Sequence, residues 1–572
     1  MKKVSIAILT AALSIHLNAQ SLKIDIKEIK HNTKEYKKID VDYLGKSKNY
    51  IYLCYYNTKF RSLALKTEVE EYKLVAYDYN LNKAFSFNLN DLKGNDKLVT
   101  YKVLIGSDRI YLLCWERENT FLKLYGNVYD EKGQIITKRN KLMEINKDDA
   151  ENANTINAMT YIVDQSNNGN LAVITERVKK SKNDFEVEYK LFDKELNFLQ
   201  NRKESIFKNL DVDGSKLKDF FDGLTNFRTN FVLVLNEYYK PVGGYFFSND
   251  NKLYANYTFR FKYDKDDQVE TNILLSYIDP QKDKYLSTPI KINGKEFFNT
   301  VHFINSKNEL LISGTFGDPA KARNYKKDKV INGVYVFKFD AQTLQTINQK
   351  YHFFDKNFLD KAFAETKELR HYGISKKEEN GISDKFSLSL HNITDDGTFT
   401  FVLKYEYHYS ESTTTGAGSN RSTVTRYYYV VAGLFNIIFN EEKIINTDAI
   451  EILKKYEASV SCNKEVKGFS DKNKYVLFYS ADIKNDLISY KIYDLKSGNV
   501  IEKNILPDKI SKITNNKKNP SYLGTCRFEY FPNMLLIAFN GKRDGQSACN
   551  CCNIIAPAKE FYYNLGTIKL RD

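Results

Sequence analysis

The sequence predicts an all-β fold: a single β-propeller of seven or eight four-stranded antiparallel blades, with eight the better count. Three observations predict it. A short strand pattern recurs along the whole chain, and Asp or Asn follows a large residue at the end of most repeats' third strand. The composition suits half-buried pleated surfaces, with 42 Tyr and 37 Phe against only 8 Pro.

The third-strand endings are Tyr77-Asp78, Tyr129-Asp130, Phe192-Asp193, Ile278-Asp279, Phe339-Asp340, Phe439-Asn440, Tyr493-Asp494 and, as the weakest match, Arg571-Asp572. Asp or Asn fits there because its side chain bonds the backbone two residues on and starts the turn to an outer strand. Upstream of these marks lie other apolar runs entered by polar turns, of which Asn168-Gly169 and Asp396-Gly397 are the strongest hairpin signals. One unit reads in full: KVLIG, RIYLLCWE, FLKLYGNVYD and QIITKRNKLMEI form four strands between Tyr101 and Ile145. Blades are expected to begin near residues 40, 100, 158, 228, 297, 386, 464 and 522. Most of these spacings fall in the range of about 40 to 70 residues that suits propeller repeats.

The last unit runs out of chain after its third strand. SLKIDIKEI from Ser21 alternates apolar and polar residues and can supply the missing fourth strand, closing the ring without an open edge. Residues 1–19 read as a bacterial signal peptide: Met1-Lys2-Lys3, an apolar stretch from Val4 to Ile15, and Leu17-Asn18-Ala19 before Gln20. That stretch is too short to span a bilayer. With no Cys at the cleavage point and no later membrane-spanning run, a lipoprotein anchor is not expected. Residues 20–572 form the propeller, placed in the periplasm or outside a Gram-negative-type cell.

Two insertions interrupt the spacing, near 205–250 and 355–430. In the first, Leu217, Phe220, Phe221 and Leu224 recur at helical spacing, and NEYYKPVGGYFFSND from Asn236 reads as a further protrusion. In the second, Asp355 caps a helix reaching about Arg370, with Leu359, Ala362, Phe363 and Thr366 on one face. Both helices read first as packing. VLKYEYHYS, ESTTTGAGSNRST and VTRYYYVVAGLFNIIFN then form a hairpin longer than a blade needs. Tyr405, Tyr407 and Tyr409 share one face of its outgoing strand, and Tyr427 and Tyr429 one face of its return. With Arg426 they form a candidate partner-binding surface, because aromatic and Arg side chains carry much of the energy at interfaces. The plainer reading is a Tyr ladder packed on a neighbouring blade.

Seven cysteines occur. Cys54 and Cys114 fall at matching places in YIYLCYY and IYLLCWE and read as small buried hydrophobes. Cys549, Cys551 and Cys552 cluster in QSACNCCN, while Cys462 and Cys526 lie beside the inner strands of the last two blades. In an exported chain the cluster reads as a disulfide staple, with Cys526 one long-range partner and the connectivity open. A thiolate metal site is the sharper alternative, since clustered sulfur suits Cu(I) or Zn, although no His stands nearby. Unpaired or redox-active thiols are the third.

Catalytic motifs are missing: no HExxH, no GxSxG and no phosphate-binding GxxxxGK[ST]. His31, His302, His352, His371, His391 and His408 are scattered without ligand spacing. A glycosidase can still draw two carboxylates from different blades; Asp164 and Glu237 illustrate acids near strand ends. The formal net charge is +14, or +12 without Lys2 and Lys3. Its lysines are dispersed among acids, which reads as a solvated surface, so no nucleic-acid partner is expected.

Together the third-strand endings and the Tyr-rich hairpin resemble secreted bacterial β-propeller proteins, including uncharacterised ones with a KFD-like ending. That resemblance spans most of the mature chain and implies architecture, with no catalytic residue or cofactor carried over. The leading functional expectation is an exported, non-enzymatic binding or scaffold propeller that engages a protein or glycan of the cell envelope. The alternatives are a carbohydrate-processing hydrolase or lyase with carboxylates at the channel, and metal handling through the Cys cluster.

Overall fold

A computed structural model describes residues 22–31, 40–61, 66–119, 121–146, 155–164, 169–179, 184–210, 242–248, 250–262, 269–318, 330–366, 381–415, 422–450, 454–457, 466–482, 487–505, 527–531, 534–543 and 560–570. Within them, eight antiparallel sheets of four or five strands follow one another along the chain, and a two-stranded sheet pairs Val330–Ile331 with Ile382–Ser383. Sheet one comprises Asp40–Lys46, Ile51–Arg61, Lys66–Tyr77 and Lys83–Asn88. Sheet two comprises Leu98–Ile105, Arg109–Glu118, Phe121–Asp130 and Ile135–Asn146, within a few residues of the unit read from the sequence. Sheet three takes Thr155–Asp164, Leu171–Lys179, Asp184–Phe192 and Phe198–Ser205. Sheet four takes Val242–Phe247, Leu253–Lys262, Val269–Asp279 and Lys284–Asn293. Sheet five takes Glu296–Ile304, Glu309–Gly317, Gly333–Asp340 and Thr346–Phe353.

Sheet six contains Ser387–Ile393, the long pair Phe399–Thr415 and Ser422–Phe439, and Ile444–Ile450; Lys454–Glu457 also pairs with Ser422–Phe439. Sheet seven contains Lys467–Asp471, Lys474–Asp482, Leu487–Asp494 and Val500–Ile505. Sheet eight has three strands from the C-terminal part, Arg527–Phe531, Met534–Arg543 and Glu560–Leu570. Its fourth is Leu22–His31, which pairs from Leu22↔Leu570 to His31↔Phe561. The first segment described therefore closes the last sheet, as its alternating pattern predicts, and removes an open edge.

First strands of neighbouring sheets touch from sheet three through to sheet eight and between sheets one and two, while Asp40–Lys46 reaches Met534–Arg543 of sheet eight. An apolar cluster joins sheets two and three through Leu113, Leu124, Leu171 and Val173. The sheets thus close into a propeller with these strands innermost. Alternate residues of one strand serve opposite neighbours. In sheet three, Leu171 and Val173 pack toward sheet two, whereas Ala172 and Ile174 pack toward sheet four. Burial on both faces explains why second strands such as RIYLLC and LAVIT read as continuous apolar runs.

The acid or amide ending each third strand performs the predicted turn chemistry. Asp78, Asp130, Asp193, Asp279, Asp340, Asn440 and Asp494 each accept, at Oδ1, the backbone N–H two residues on, at 2.8–3.1 Å. Asp572 lies outside the described residues. Three or four residues later the chain turns left-handed. Gly133 and Gly498 take that place with φ of 87° and 75°, but Leu81, Leu196 and Leu344 also occupy it with φ of 57–66°. All three leucines are buried, so apolar burial offsets the local strain.

These turns also tie the ring together. Tyr52, Tyr111 and Tyr254 donate their hydroxyls to the carbonyls of Glu131, Lys194 and Ala341, each the residue after the turn acid of the next sheet. The distances are 2.9, 3.1 and 2.9 Å.

The described part of sheet four begins at Val242, and the expected start near residue 228 lies outside the described residues. Gly243-Gly244 weakens the strand signal there, but the glycine is needed: a Cβ at position 244 would come within 2.6 Å of the His302 ring of sheet five. The described part of the segment expected to protrude from Asn236 is this innermost strand. The helix expected around Leu217 to Leu224 lies outside the described residues, which place a short helix at Ile206–Leu210. The second insertion forms the expected helix, Lys356–Thr366, with Asp355 Oδ1 accepting from the Phe358 N–H at 2.7 Å. Phe358, Leu359 and Ala362 are buried in the cluster shared by sheets five and six, so this helix is a packing element. No helix among the described residues is long and apolar enough to cross a membrane.

Candidate binding surface

Sheet six carries the hairpin singled out by the sequence. Its ladder runs from Phe399↔Phe439 to Thr415↔Ser422, with a register shift between Tyr405 and Glu406. Inside the shift the strands are core: Phe399, Phe401, Leu403, Phe435, Ile437 and Phe439 are buried. Tyr405 belongs there too, only 4% exposed and packed against Phe386 with ring centroids 5.5 Å apart. It stabilises the blade, in keeping with the packing reading.

Beyond the shift the hairpin leaves the core. Ser410, Glu411, Ser412, Thr413 and Thr414 are exposed on one strand and Thr423, Val424 and Thr425 on the other. Cross-strand hydroxyls bond Ser412 to Thr425 at 2.9 Å and Thr414 to Thr423 at 3.0 Å, the polar equivalent of an apolar cross-strand pair. Position 407 lies opposite 430, 409 opposite 428, 410 opposite 427, and 408 opposite 429. Opposed residues share a face, so the backbone register groups positions 405, 407, 409 and 428, and sets positions 427 and 429 on the other face. Arg426 pairs in the ladder with Glu411.

A second feature lies on the inner strands. His302 and His391 occupy the same place, two residues before the ends of Glu296–Ile304 and Ser387–Ile393 in adjacent sheets. His302 stacks on Phe246 with centroids 4.4 Å apart, and its Nδ1 is buried without a hydrogen bond. Burial, aided by the charge of His391, pushes the His302 ring down to about 4, so it is neutral near pH 7. The repeat held the signal for this pair: HFINSKNEL and HNITDDGTF align in adjacent blades. His352 instead bonds the Glu441 carbonyl at 3.1 Å on the outer side of the same junction.

A third arrangement joins sheets three and four. Glu176 accepts the Tyr245 hydroxyl; Tyr245 bonds Tyr257 at 2.7 Å, Tyr257 bonds Tyr189 at 2.9 Å, and Tyr189 donates to Glu204 at 2.9 Å. Ser276 and Ser287 also donate to Glu204, at 2.8 and 2.7 Å. Burial raises all three phenols well above their ordinary range, which keeps them neutral. This network satisfies polar groups that would be costly in an apolar junction. The sequence offered no local sign of it, because its members come from different strands of two sheets.

Cys54 and Cys114 are buried in the cluster between sheets one and two, and neither forms a disulfide. Burial pushes the Cys114 thiol up to about 12, as befits an inert packing residue. Cys462, Cys526, Cys549, Cys551 and Cys552 lie outside the described residues; the last three fall in sequence between Met534–Arg543 and Glu560–Leu570. Among the described residues, no group of three or more His, Cys, Asp and Glu is arranged to hold a metal ion.

No protein-family model and no curated protein matches the chain. Among solved structures it is similar to a europium-containing methanol dehydrogenase, at 9% identity and TM-score 0.36 over 97% of this chain and 94% of that one. It is also similar to the propeller domain of the Trilobed protease from Pyrococcus furiosus, at 12% identity and TM-score 0.32 over 82% and 99%. The WD40 domain of SCAP from fission yeast gives 8% identity and TM-score 0.32 over 96% and 98%. These distant likenesses transfer no residue role.

Proposed function

We propose that this chain is an exported, non-enzymatic binding or scaffold propeller that engages a protein or glycan of the cell envelope through the sheet-six hairpin. The observation that carries this reading is the extension of that hairpin beyond the core, ending in exposed hydroxyls and the exposed Val424. An element needed only to complete a blade would not extend to the exposed residues 410–414 and 423–425.

Partly exposed described side chains on the inner strands include Tyr101, Lys102, Phe246, Thr300, His302 and His391, together with the acid Asp471. Deleting Ser410 to Arg426 is expected to abolish capture of an envelope component from extract while the far-UV β signal stays unchanged. Undiminished capture would remove the hairpin from the binding surface.

A further inference from the structure

The junction between sheets six and seven forms an open cleft of about 200 Å³ where four turns meet. It is lined by Lys443, Lys472 and Lys496, with Asp396 the one acid. None of the three ammonium groups has an ion pair within 4 Å or a side-chain hydrogen bond among the described residues, while the charge of Lys496 helps to hold the nearby Asp494 carboxyl low. Asp396 is occupied locally, its Oδ1 accepting from the Thr394 hydroxyl and from the Thr398 N–H at 3.1 Å.

At two other junctions a lysine meets an acid from the neighbouring sheet. Lys194 lies 3.9 Å from Asp108, across sheets two and three, and Lys338 lies 2.6 Å from Glu441, across sheets five and six. Gathering three cations around one hollow without equal counter-charge raises the local positive potential and favours an anion. The rest of the lining narrows its chemistry. Asn440 spends its side-chain carbonyl on the N–H groups of Glu442 and Lys443, both at 2.9 Å, which leaves its amide NH₂ to donate. Asn473 adds another amide, while Ile445 and Leu495 supply the apolar part. Donors thus surround a hollow of sugar-ring size, a setting for a ligand rich in oxygen and carrying negative charge.

We propose that this cleft binds an acidic sugar unit, with its carboxylate or sulfate ester held by Lys443, Lys472 and Lys496. The site is separate from the hairpin, and its test does not depend on the hairpin's role. Calorimetric titration of the full chain with tetragalacturonate and with a sulfated chondroitin-type disaccharide distinguishes the two sources of charge; maltotetraose and a hexaglutamate peptide serve as controls. Binding of at least one acidic saccharide is expected, weakened by about tenfold or more in the triple variant Lys443→Gln, Lys472→Gln, Lys496→Gln. A second triple, Lys83→Gln, Lys132→Gln, Lys203→Gln, makes the same charge change at exposed lysines elsewhere and should stay within about twofold of the parent.

Equal weakening in both triples would reduce the effect to overall charge and overturn the site. Maltotetraose binding as tightly as the acidic sugars would overturn the ionic role. Tighter binding of hexaglutamate would make the cleft a peptide site, and no binding of either acidic saccharide would reject the proposal.

Discussion

The junctions on either side of sheet six are built from similar turns but treat charge differently. Between sheets five and six, Lys338 meets Glu441 at 2.6 Å, Asn348 donates to the same carboxylate at 2.6 Å, and His352 bonds the Glu441 carbonyl. Between sheets six and seven, Asp448 is ion-paired in the interior with Lys491 at 2.6 Å and accepts the Tyr493 hydroxyl at 2.8 Å, whereas the three lysines of the cleft have no ion pair within 4 Å among the described residues. Folding alone accounts for the first junction. The second gathers three exposed ammonium groups around one cleft, the arrangement on which the proposed anion site rests.

Breaking the sealed type of junction should produce the largest effects. In the tyrosine network between sheets three and four, Tyr257→Phe removes the hydroxyl shared by Tyr189 and Tyr245. A loss of about 1–3 kcal/mol is expected from chemical denaturation, the cost of disrupting a buried hydrogen-bond network. A change below a few tenths would show that the phenol chain contributes shape alone. At the five–six junction, Glu441→Gln should cost about 1–2 kcal/mol, because Lys338 is left without its closest carboxylate in a partly buried setting. Burial alone would raise the Glu441 carboxyl, but the bonds from Lys338 and Asn348 hold it below its ordinary range. Its contribution is therefore present above the unfolded-state value and fades as pH falls through the lower folded-state value.

The inner side of the same junction responds at a different pH. The His302 ring, held down to about 4, is neutral in the fold while an unfolded histidine takes up a proton near pH 6.5. Stability should fall as pH drops from about 6.5 toward 4, and His302→Asn should flatten that part of the profile. An unchanged slope would assign the pH dependence elsewhere. The smallest stability effect belongs to the lysine cleft, where removing one exposed ammonium, as in Lys496→Gln, should stay within about 0.5 kcal/mol of the parent.

The turn acids from Asp78 to Asp494 and the strand beginning at Leu22 were legible because each depends on local chemistry: a side chain bonding its own turn, or a period of two along one strand. The buried Cys54 and Cys114 were legible for the same reason, from matching places in two repeats. The strand Val242–Phe247 carried a weak signal because Gly244 answers a neighbour, His302, from another sheet. The Glu176–Glu204 relay and the three-lysine cleft were hidden more completely. Their members are ordinary strand and turn residues in sequence and acquire meaning only when adjacent sheets meet.

Lysine-directed acetylation read by mass spectrometry, with and without the acidic saccharide that binds in calorimetry, tests the central contrast most directly. Protection should concentrate at Lys443, Lys472 and Lys496 while Lys83, Lys132 and Lys203 modify at their unliganded rates. Protection spread evenly over all six, or confined to the second three, would contradict the assignment of the six–seven junction as a binding site.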